Sequence, residues 1–192
     1  MGKDLAERRG LETDVYQPAE DSQLLADAAC NRLETEDLVL EVGTGSGYVA
    51  DRIATEVGAR VVAADVNPHA AANARKRGLE AVRADLVSPF QSGAFDAVAF
   101  NPPYLPTDPD HEWDDWMERA LSGGEDGRAV IDPFFETVSR VLAPDGVVLL
   151  LVSSLTGVDA VVERAGEEGF SAVAVADESF PFETLTVLEL VR

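Results

Sequence analysis

Residues 101–104, Asn-Pro-Pro-Tyr, are the stretch whose residue types point most directly to chemistry. They follow the apolar run 95–100, which predicts a buried strand, so they lie at a carboxyl end, where open α/β sheets bind ligands. Each proline fixes its own φ and restricts the preceding residue, which holds the Asn101 amide and the neighbouring carbonyls in one orientation. The loop therefore presents hydrogen-bond acceptors beside the Tyr104 ring, as binding of a planar NH2 group requires. An isolated Asn-Pro pair more often only ends a strand, so this interpretation depends on the residues upstream.

Three acidic residues upstream each lie at the end of a predicted strand. Glu41 stands just before the Gly-rich turn 43–47, where a carboxylate would favour a cationic ligand group. Asp65 ends the second strand and is placed to accept hydrogen bonds from both hydroxyls of a ribose. Asp85 ends the third strand, where it can hold an adenine amino group while Leu86 offers apolar contact and a backbone N–H. Each acid alone is as readily a surface carboxylate, but three at successive strand ends rarely coincide by chance.

The glycines of the turn, including Gly43 and Gly45, permit positive φ and close approach of the backbone to a ligand. Their G-x-G-x-G pattern is shared by many nucleotide-binding proteins. It differs from the G-x-G-x-x-G spacing of dinucleotide-binding folds, and nothing beside it requires a pyrophosphate. A nucleoside that bears positive charge and lacks phosphate fits the turn and the three acids together. The sequence therefore predicts S-adenosylmethionine (SAM) as the cofactor.

Alternating strand and helix patterns must position these residues. The predicted strands are 38–42, 60–64, 81–84, 95–100, 146–152, 171–176 and 184–191, and the predicted helices are 20–34, 48–57, 68–77, 132–142 and 157–168. Asn67 is the expected N-cap of the third helix, with Pro68 at its first position. Repeated βα units followed by a terminal hairpin predict an α/β fold with a mostly parallel sheet and one antiparallel strand near its end. We expect one domain over residues 1–192, with 1–15 loosely ordered.

The charge of the chain is its unusual compositional feature. Asp and Glu number 36 against 15 Lys and Arg, which gives a formal net charge of -21. Small domains usually carry a net charge of about 2–8 in magnitude. The acids are scattered along the chain, a pattern that favours the strongly salted cytoplasm of a halophile over a merely acidic mesophilic protein. Duplex nucleic acid is bound through Lys and Arg, so a nucleic-acid partner is disfavoured.

Cysteine and histidine usage predicts no bound metal. Cys30 is the single cysteine, which excludes an internal disulfide and a thiolate cluster, and it lies in an apolar helical pattern. His69 and His111 are far apart in sequence and neither has a metal-ligand spacing. No signal-peptide pattern opens the chain, and the longest apolar run, 147–152, is too short to span a membrane. We therefore expect a cytoplasmic protein.

With these motifs in place, the chain resembles SAM-dependent methyltransferases with the seven-stranded Rossmann-like (class I) fold, which have helices on both sheet faces. Within that fold it is similar to the HemK-type protein glutamine methyltransferases, in their short archaeal and eukaryotic branch. The resemblance covers nearly the whole chain. The matching segments, in the family's order, are V-Y-Q-P-A-E-D-S at 15–22, the turn at 43–47, D-V-N-P at 65–68, D-L at 85–86, N-P-P-Y at 101–104, G-G-x-x-G-R at 123–128 and E-T-L at 183–185.

The resemblance implies the roles of the site residues. Those that would line the SAM site are Ser22, Glu41, Gly43, Gly45, Asp65, Val66, Asp85, Leu86 and Asn101. Asn101 would hold the substrate amide, with Pro102, Pro103 and Tyr104 completing the binding loop, and Arg128 is expected on the substrate side, although it can equally end the loop before the helix at Asp132. The substrate implied is the glutamine of the GGQ loop of a peptide-chain release factor. A small zinc-binding activator subunit is implied as a partner along the sheet edge, in a heterodimer.

The chain departs from the family pattern in three places. We expect no counterpart of the long N-terminal helical domain of the bacterial enzymes, so substrate recognition is expected to lie elsewhere. Leu121 stands where the pattern leads us to expect Trp before the two glycines. The segment 108–115 carries five acids and Trp113, which is more acidic than the family leads us to expect.

The NPPY loop does not by itself select glutamine. We expect the side-chain oxygen of Asn101 and the carbonyl of Pro102 to accept hydrogen bonds from the two N–H groups of a planar amide. Catalysis would then come from positioning and electrostatics. The exocyclic amines of adenine (N6) and guanine (N2) have the same planar geometry, which leaves RNA or DNA methylation as the alternative. Methylation of a protein lysine is a weaker possibility. A SAM-binding scaffold without catalysis is disfavoured because the loop and the cofactor acids are all intact.

Overall fold

A computed structural model describes residue 15 and residues 17–107 and 116–192 of the chain. Seven strands form one sheet: β1 Leu38–Val42, β2 Arg60–Asp65, β3 Glu80–Arg83, β4 Phe95–Phe100, β5 Leu142–Ser153, β6 Ser171–Ser179 and β7 Thr184–Val191. The helices are α1 Glu20–Arg32, α2 Tyr48–Arg52, α3 Pro68–Lys76, α4 Trp116–Leu121, α5 Ile131–Val141 and α6 Val158–Glu167. Helix α2 continues into a π-helical turn at Ile53–Val57, and Ser154–Thr156 form a 3₁₀ turn.

The strand order across the sheet is β3-β2-β1-β4-β5-β7-β6. Strands β1 to β5 pair in parallel, and β7 runs antiparallel to both of its neighbours, β5 and β6. The predicted seven-stranded, mostly parallel sheet with an antiparallel strand near its end is therefore confirmed. Strand β1 lies between β2 and β4, so the chain order reverses at β1. In open α/β sheets, the crevice at such a reversal, outside the carboxyl ends of the strands, is where ligands bind.

Helices cover both faces of the sheet because successive strand residues point to opposite sides. Leu40 of β1 packs in the cluster that contains Phe134 and Phe135 of α5. Its neighbour Val39 packs in the opposite cluster, which contains Leu25 of α1 and the start of the π-helical turn. Strand β5 alternates between the two clusters in the same way, and its residues 147–152 are all buried, as expected for a strand covered on both faces.

Most element boundaries agree with the sequence predictions within two residues, and β5 is the main exception. The prediction begins this strand at Gly146, whereas β5 begins at Leu142. Phe95 of β4 pairs with Leu142 and Ala97 pairs with Val147, so residues 143–146 form a bulge. Asp145 there has a φ of 65°, a left-handed conformation that breaks the alternation on which the sequence prediction rests.

The start of helix α3 follows the predicted capping pattern. The side chain of Asn67 accepts a hydrogen bond from the backbone N–H of His69 at 2.9 Å, and Pro68 occupies the first helical position. This cap ends β2 sharply and directs the chain away from the sheet edge that carries Asp65. Across the ranges that the structure describes, no helix is both long and apolar enough to cross a lipid bilayer.

Candidate functional site

A cavity of about 660 Å³ opens at the carboxyl ends of β1, β2 and β4, where the strand order reverses. Its volume lies within the range of small-molecule and cofactor sites, about 300–1,000 Å³. The predicted site residues that line it are Ser22, Glu41, Gly43, Gly45, Asp65, Val66, Asp85, Leu86, Asn101, Pro102, Pro103 and Tyr104. The fold thus collects into one cavity residues that lie far apart along the chain. Their individual roles toward cofactor and substrate stay predictions.

The glycine turn after β1 holds its shape through left-handed residues and a carboxylate. Gly43, Gly45 and Gly47 have φ values of 66°, 51° and 80°. A Cβ at Gly43 would lie 3.4 Å from the Phe100 ring, so the turn passes close to the end of β4. The N–H of Gly45 donates to Oδ2 of Asp65 at 2.8 Å, which ties the turn to the end of β2.

Asp65 is a carboxylate fixed by backbone donors at the rim of the cavity. Its Oδ2 accepts from Gly45 and its Oδ1 accepts from the N–H of Asn67, both at 2.8 Å. Burial raises the pKa of Asp65, and these two backbone hydrogen bonds oppose the rise. A carboxylate has about four acceptor positions, so two remain for the hydroxyls of a ribose.

Glu41 lies beneath the turn and is almost fully buried. Its Oε2 accepts from the hydroxyl of Thr44 and from the backbone N–H of Ala50 at 3.1 Å. Burial raises the pKa of Glu41 to about 8, while these hydrogen bonds oppose the rise. The carboxyl group therefore braces the turn from within the chain. With a pKa of about 8 it is mostly uncharged at neutral pH, so the attraction for a cationic ligand group stays a prediction.

Replacing Glu41 by glutamine is expected to remove a pH-dependent loss of stability. A carboxyl whose pKa is 4.5 unfolded and about 8 folded favours folding at low pH. That contribution is lost as the pH rises from about 4.5 to about 8, an effect on the order of 4 kcal/mol. Urea unfolding at pH 5 and pH 9 should show a smaller decline in the free energy of unfolding for Glu41→Gln than for the unaltered protein. Glu136→Gln, which alters an exposed carboxylate, is the control, and parallel profiles for all three proteins would contradict the assignment.

The end of β3 leads into a strained residue at the cavity. The N–H of Ala84 donates to the carbonyl of Asp65 at 2.9 Å, which brings Asp85 and Leu86 beside the glycine turn. Leu86 has a φ of 48°, a left-handed conformation uncommon outside glycine. Such strain persists where the surrounding structure imposes it, often at ligand sites. Asp85 is exposed and Leu86 half-buried, as the predicted adenine contacts require.

The Asn101 side chain is held from one side only. Its Nδ2 donates to Oδ2 of Asp21 at 3.0 Å, and Asp21 is a buried residue of the first turn of α1. The other amide atom, Oδ1, is buried and accepts no hydrogen bond from any residue that the structure describes. A buried acceptor without a donor costs about 1–3 kcal/mol, so this atom is suited to receive an N–H from a ligand.

Tyr104 completes the loop as a neutral, half-buried phenol. Burial is the main cause that raises the pKa of Tyr104 well above its usual range, and the charges of Asp21, Glu183 and Glu20 add to it. A phenol held in its protonated form cannot serve as a general base at neutral pH. Its ring and hydroxyl remain available for packing and hydrogen-bond donation.

The NPPY loop is braced by the chain that follows α4. The N–H of Leu105 donates to Leu121 at 3.0 Å, Gly123 donates to Leu105 at 2.9 Å, and Thr107 donates to Gly124 at 2.9 Å. Helix α4 also contributes Trp116, Glu118 and Arg119 to the cavity wall.

Neither α4 nor its cavity residues were predicted from the sequence. A short helix beside the acidic segment 108–115 gives little periodic signal. That segment, with Trp113, and also Tyr16 and His111, lie outside the described residues.

The Gly-Gly-x-x-Gly-Arg segment supports the NPPY loop from behind. A Cβ added at Gly127 would lie 2.6 Å from the Tyr104 carbonyl oxygen, so only glycine allows this approach. Arg128 donates to the Thr156 carbonyl at 2.7 Å and to Asp126 at 2.6 Å. It is not among the described residues that line the cavity. Its guanidinium is bound to the chain in this structure, and the substrate role of Arg128 stays a prediction.

Two acidic residues without a predicted role contribute to the site. Asp21 belongs to the sequence motif at 15–22, yet its contact with Asn101 lies 80 positions along the chain and has no local signal. Glu183 accepts from the hydroxyl of Ser153 at 2.6 Å and lies close enough to Tyr104 to affect its pKa. Asp21 lines the cavity, whereas Glu183 acts on it through its proximity to Tyr104.

The described residues fit SAM better than a dinucleotide. The turn offers closely approaching backbone, Asp65 retains two free acceptor positions, and Asp85 supplies a further carboxylate. Of the described lining residues, Arg119 is the basic one, and it lies on α4, away from the glycine turn. Carboxylate acceptors, without basic side chains to bind a phosphate beside the turn, favour a cationic nucleoside over a dinucleotide.

Comparisons with known proteins agree with this geometry. The methyltransferase domain family matches residues 39–123. A Methanocaldococcus jannaschii protein provisionally named protein N5-glutamine methyltransferase MJ0928 is 36% identical over 190 residues, 95% of this chain and 94% of its own. Human methyltransferase HEMK2 is 34% identical over 198 residues, covering 96% and 92% of the two chains. A chain of the E. cuniculi Mtq2–Trm112 complex, described as responsible for methylation of the translation termination factor eRF1, superposes with a TM-score of 0.78. It is 31% identical, and the match covers 94% of this chain and 99% of that one.

Proposed function

Because the chain belongs to the HemK-type family of SAM-dependent protein N5-glutamine methyltransferases, we propose that it methylates a peptide-chain release factor. The acceptor is the side-chain amide nitrogen of the glutamine in the release factor's GGQ loop. The related E. cuniculi complex is described as methylating a termination factor, which supports this substrate. The enzyme acts in the cytoplasm, where its substrate functions.

The observation that carries this proposal is the buried Oδ1 of Asn101, which accepts no hydrogen bond from a described residue. It belongs to a loop that follows β4 directly at the carboxyl edge of the sheet, next to the Pro102 carbonyl. Two acceptors side by side match the two N–H groups of a primary amide.

The loop acts on glutamine by orientation. An amide nitrogen is a poor nucleophile because its lone pair is delocalised into the carbonyl. Asn101 Oδ1 and the Pro102 carbonyl accept its two N–H bonds, and the Tyr104 ring packs against the amide plane. These hydrogen bonds hold the nitrogen in line with the methyl group, so the reaction does not depend on a chance encounter of the two. The two acceptor oxygens also stabilise the positive charge that develops on the N–H groups.

Asp65, Asp85 and the glycine turn would hold SAM, which would supply an electrophilic methyl group on a sulfonium. The glutamine nitrogen would gain this methyl group as the C–S bond breaks, and it would then carry the positive charge. One of its protons then leaves to water. The neutral phenol of Tyr104 takes no part in this proton transfer, and none is needed before the methyl group moves.

Nucleic-acid bases remain the second candidate, because their exocyclic amines have the same planar geometry. A formal net charge of -21 opposes binding to phosphates, and the cavity wall offers Arg119 as the basic residue among those described. A lysine substrate would need to lose a proton before it attacks, and no described residue of the NPPY loop is a base.

The test is methyl transfer from radiolabelled SAM in high salt with the activator present. We expect label in the release factor and none when its GGQ glutamine is replaced by alanine. RNA and DNA are offered in parallel. Label in nucleic acid and not in release factor would overturn the substrate assignment, and label in the alanine variant would overturn the glutamine assignment.

We also propose a small zinc-binding activator subunit that pairs with the β3 edge of the sheet to form a heterodimer. The related structure is a complex with Trm112, which supports such a partner. The two sheet edges are β3 and β6, and β3 is the one beside the cofactor side of the cavity, because it pairs with β2, which ends at Asp65. A strand added there would pair with the outer edge of β3 through backbone hydrogen bonds and stabilise the residues that hold SAM.

The activator is expected to raise the melting temperature of the enzyme, because a ligand of the folded state stabilises it by mass action. Val82→Glu, on β3, should abolish this rise. Val173→Glu, on the opposite edge strand β6, should leave it intact, since Val173 is 61% exposed. Thermal melting of each variant with and without the activator measures both effects. If only Val173→Glu loses the activator-dependent rise in melting temperature, the interface lies on β6 and not on β3.

A further inference from the structure

Asp21 and Asn101 form a buried side-chain pair between the first turn of α1 and the NPPY loop. Asp21 is 4% exposed, and its Oδ2 accepts the Nδ2–H of Asn101 at 3.0 Å. Its other oxygen, Oδ1, accepts the backbone N–H of Ser22 at 2.6 Å and the Ser22 hydroxyl at 3.2 Å. The carboxylate thus uses one oxygen on its own helix and the other on Asn101.

An asparagine amide has nearly the same shape in its two orientations, which differ by exchange of the oxygen and the nitrogen. Its neighbours therefore decide which atom it presents. An ionised carboxylate only accepts, so Asp21 favours the orientation with Nδ2 toward itself. The opposite orientation would place Oδ1 against the carboxylate and present an NH2 group to the substrate.

We infer that Asp21 is a positioning residue that orients the Asn101 amide, so that Oδ1 is the atom offered to the substrate nitrogen. This inference rests on the proposed function, in which that nitrogen belongs to a glutamine amide. With the Asn101 amide reversed, its NH2 group would face the N–H group of the substrate. Two donors cannot form a hydrogen bond, so the NPPY loop would not bind the substrate amide. Asp21 thereby sets the loop's preference for N–H donors without touching the substrate.

The Ser22 contacts make the isosteric change Asp21→Asn especially informative. A backbone N–H can only donate, so the introduced amide should turn its oxygen toward Ser22. Its NH2 group then points at Asn101, and Asn101 must rotate its oxygen inward to accept from it. The substitution removes no volume, yet it reverses the hydrogen-bond polarity of the loop.

The experiment measures kcat for release-factor methylation in Asp21→Asn, Asn101→Asp and the double variant. Each single variant is expected to lose about 10²-fold, the size of effect found when one positioned hydrogen bond is removed from an active site. Asn101→Asp fails because two carboxylates then face each other. In the double variant, the amide introduced at position 21 donates to the carboxylate introduced at position 101, whose second oxygen again faces the substrate. Its kcat should exceed that of either single variant by about tenfold or more, a coupling that independent sites do not show.

A readout without substrate comes from the side-chain NH2 signal of Asn101 in NMR spectra, identified by its loss in Asn101→Asp. In the unaltered protein this NH2 group is bound to Asp21, so its hydrogen exchange should be slow. In Asp21→Asn it should exchange faster, because it then faces the cavity. Asp27→Asn, an exposed carboxylate of the same helix, is the control and should change neither kcat nor exchange.

The outcomes separate this inference from the proposed function. Activity of Asp21→Asn within about threefold of the unaltered enzyme overturns the inference, and so does a double variant no better than the singles. An unaltered enzyme that is inactive on release factor overturns the proposed function, and the NMR exchange rates then decide the orientation of Asn101. Thermal melting and SAM affinity identify any variant whose loss of activity comes from misfolding. In that case the hydrogen-exchange rates of the remaining variants decide whether Asp21 orients Asn101.

Discussion

Replacing Asn101 by alanine is expected to lower kcat for glutamine methylation by about 10³-fold, the upper range for removing one positioned hydrogen-bonding group from an active site. The Oδ1 atom is buried and unpaired among the described residues, so its loss removes an acceptor that no neighbour replaces. The affinity for SAM should change by less than about threefold, because Asp65 and the glycine turn remain in place.

Single-turnover kinetics and calorimetric titration of SAM measure the two effects separately. Loss of Asn101 removes a donor to Oδ2 of Asp21 but also removes the unpaired Oδ1, and each change is worth about 1–3 kcal/mol with opposite sign, so the net change in stability should be small. Asn31→Ala, at an exposed position of α1, is the matched control. An Asn101→Ala enzyme with nearly normal kcat, or one that binds SAM about a hundred times more weakly, would remove Asn101 from its proposed role.

Gly127→Ala is expected to reduce kcat by about 10²-fold although Gly127 lies behind the NPPY loop. The added Cβ would lie 2.6 Å from the Tyr104 carbonyl oxygen and 2.7 Å from Cγ2 of Thr156. Contacts under 3.0 Å force one of these groups to move, and a shift of about 1 Å in a substrate-positioning group can cost about 10²-fold in rate. We expect the free energy of unfolding to fall by about 2–4 kcal/mol through the same contact and the left-handed φ of 77°.

Gly78→Ala separates the two causes of that loss. Gly78 has a φ of 86°, but no atom lies within 4 Å of an added Cβ. This control should therefore show only the backbone cost, about 1–2 kcal/mol, with unchanged kcat. Steady-state kinetics and urea unfolding of both variants provide the comparison. If Gly127→Ala and Gly78→Ala give the same kcat and the same free energy of unfolding, the close contact between Gly127 and Tyr104 does not contribute to catalysis.

The local pattern of the chain was sufficient to predict the sheet and the location of the site. Apolar runs bounded by Gly, Asn or Asp mark β1, β2 and β4, because a strand buried on both faces needs continuous apolar residues and a polar turn at its end. Parallel strands direct their carboxyl ends to one edge, so Glu41, Asp65 and Asn101 had to converge once the βα alternation was recognised. The glycine turn with the three acids predicted the cofactor, and the family motifs implied the substrate, which periodicity alone does not supply.

Other features depend on contacts between segments far apart in the chain. The bulge at the start of β5 follows from its pairing with β4, and the support of Tyr104 by Gly127 follows from how two loops pack. Arg128 illustrates the limit, since its motif suggested a substrate contact while its guanidinium binds the Thr156 carbonyl.

The apolar run 95–100 and the glycines at 43–47 were enough to predict that Asn101 ends a buried strand beside a cofactor turn. The orientation of its amide depends on three-dimensional packing, because the Nδ2 group donates to a carboxylate 80 positions away. Side-chain periodicity reports which face of an element is buried, whereas the partner of a hydrogen bond is set by strand order and loop packing. Those arise from the chain as a whole, and no local pattern encodes them.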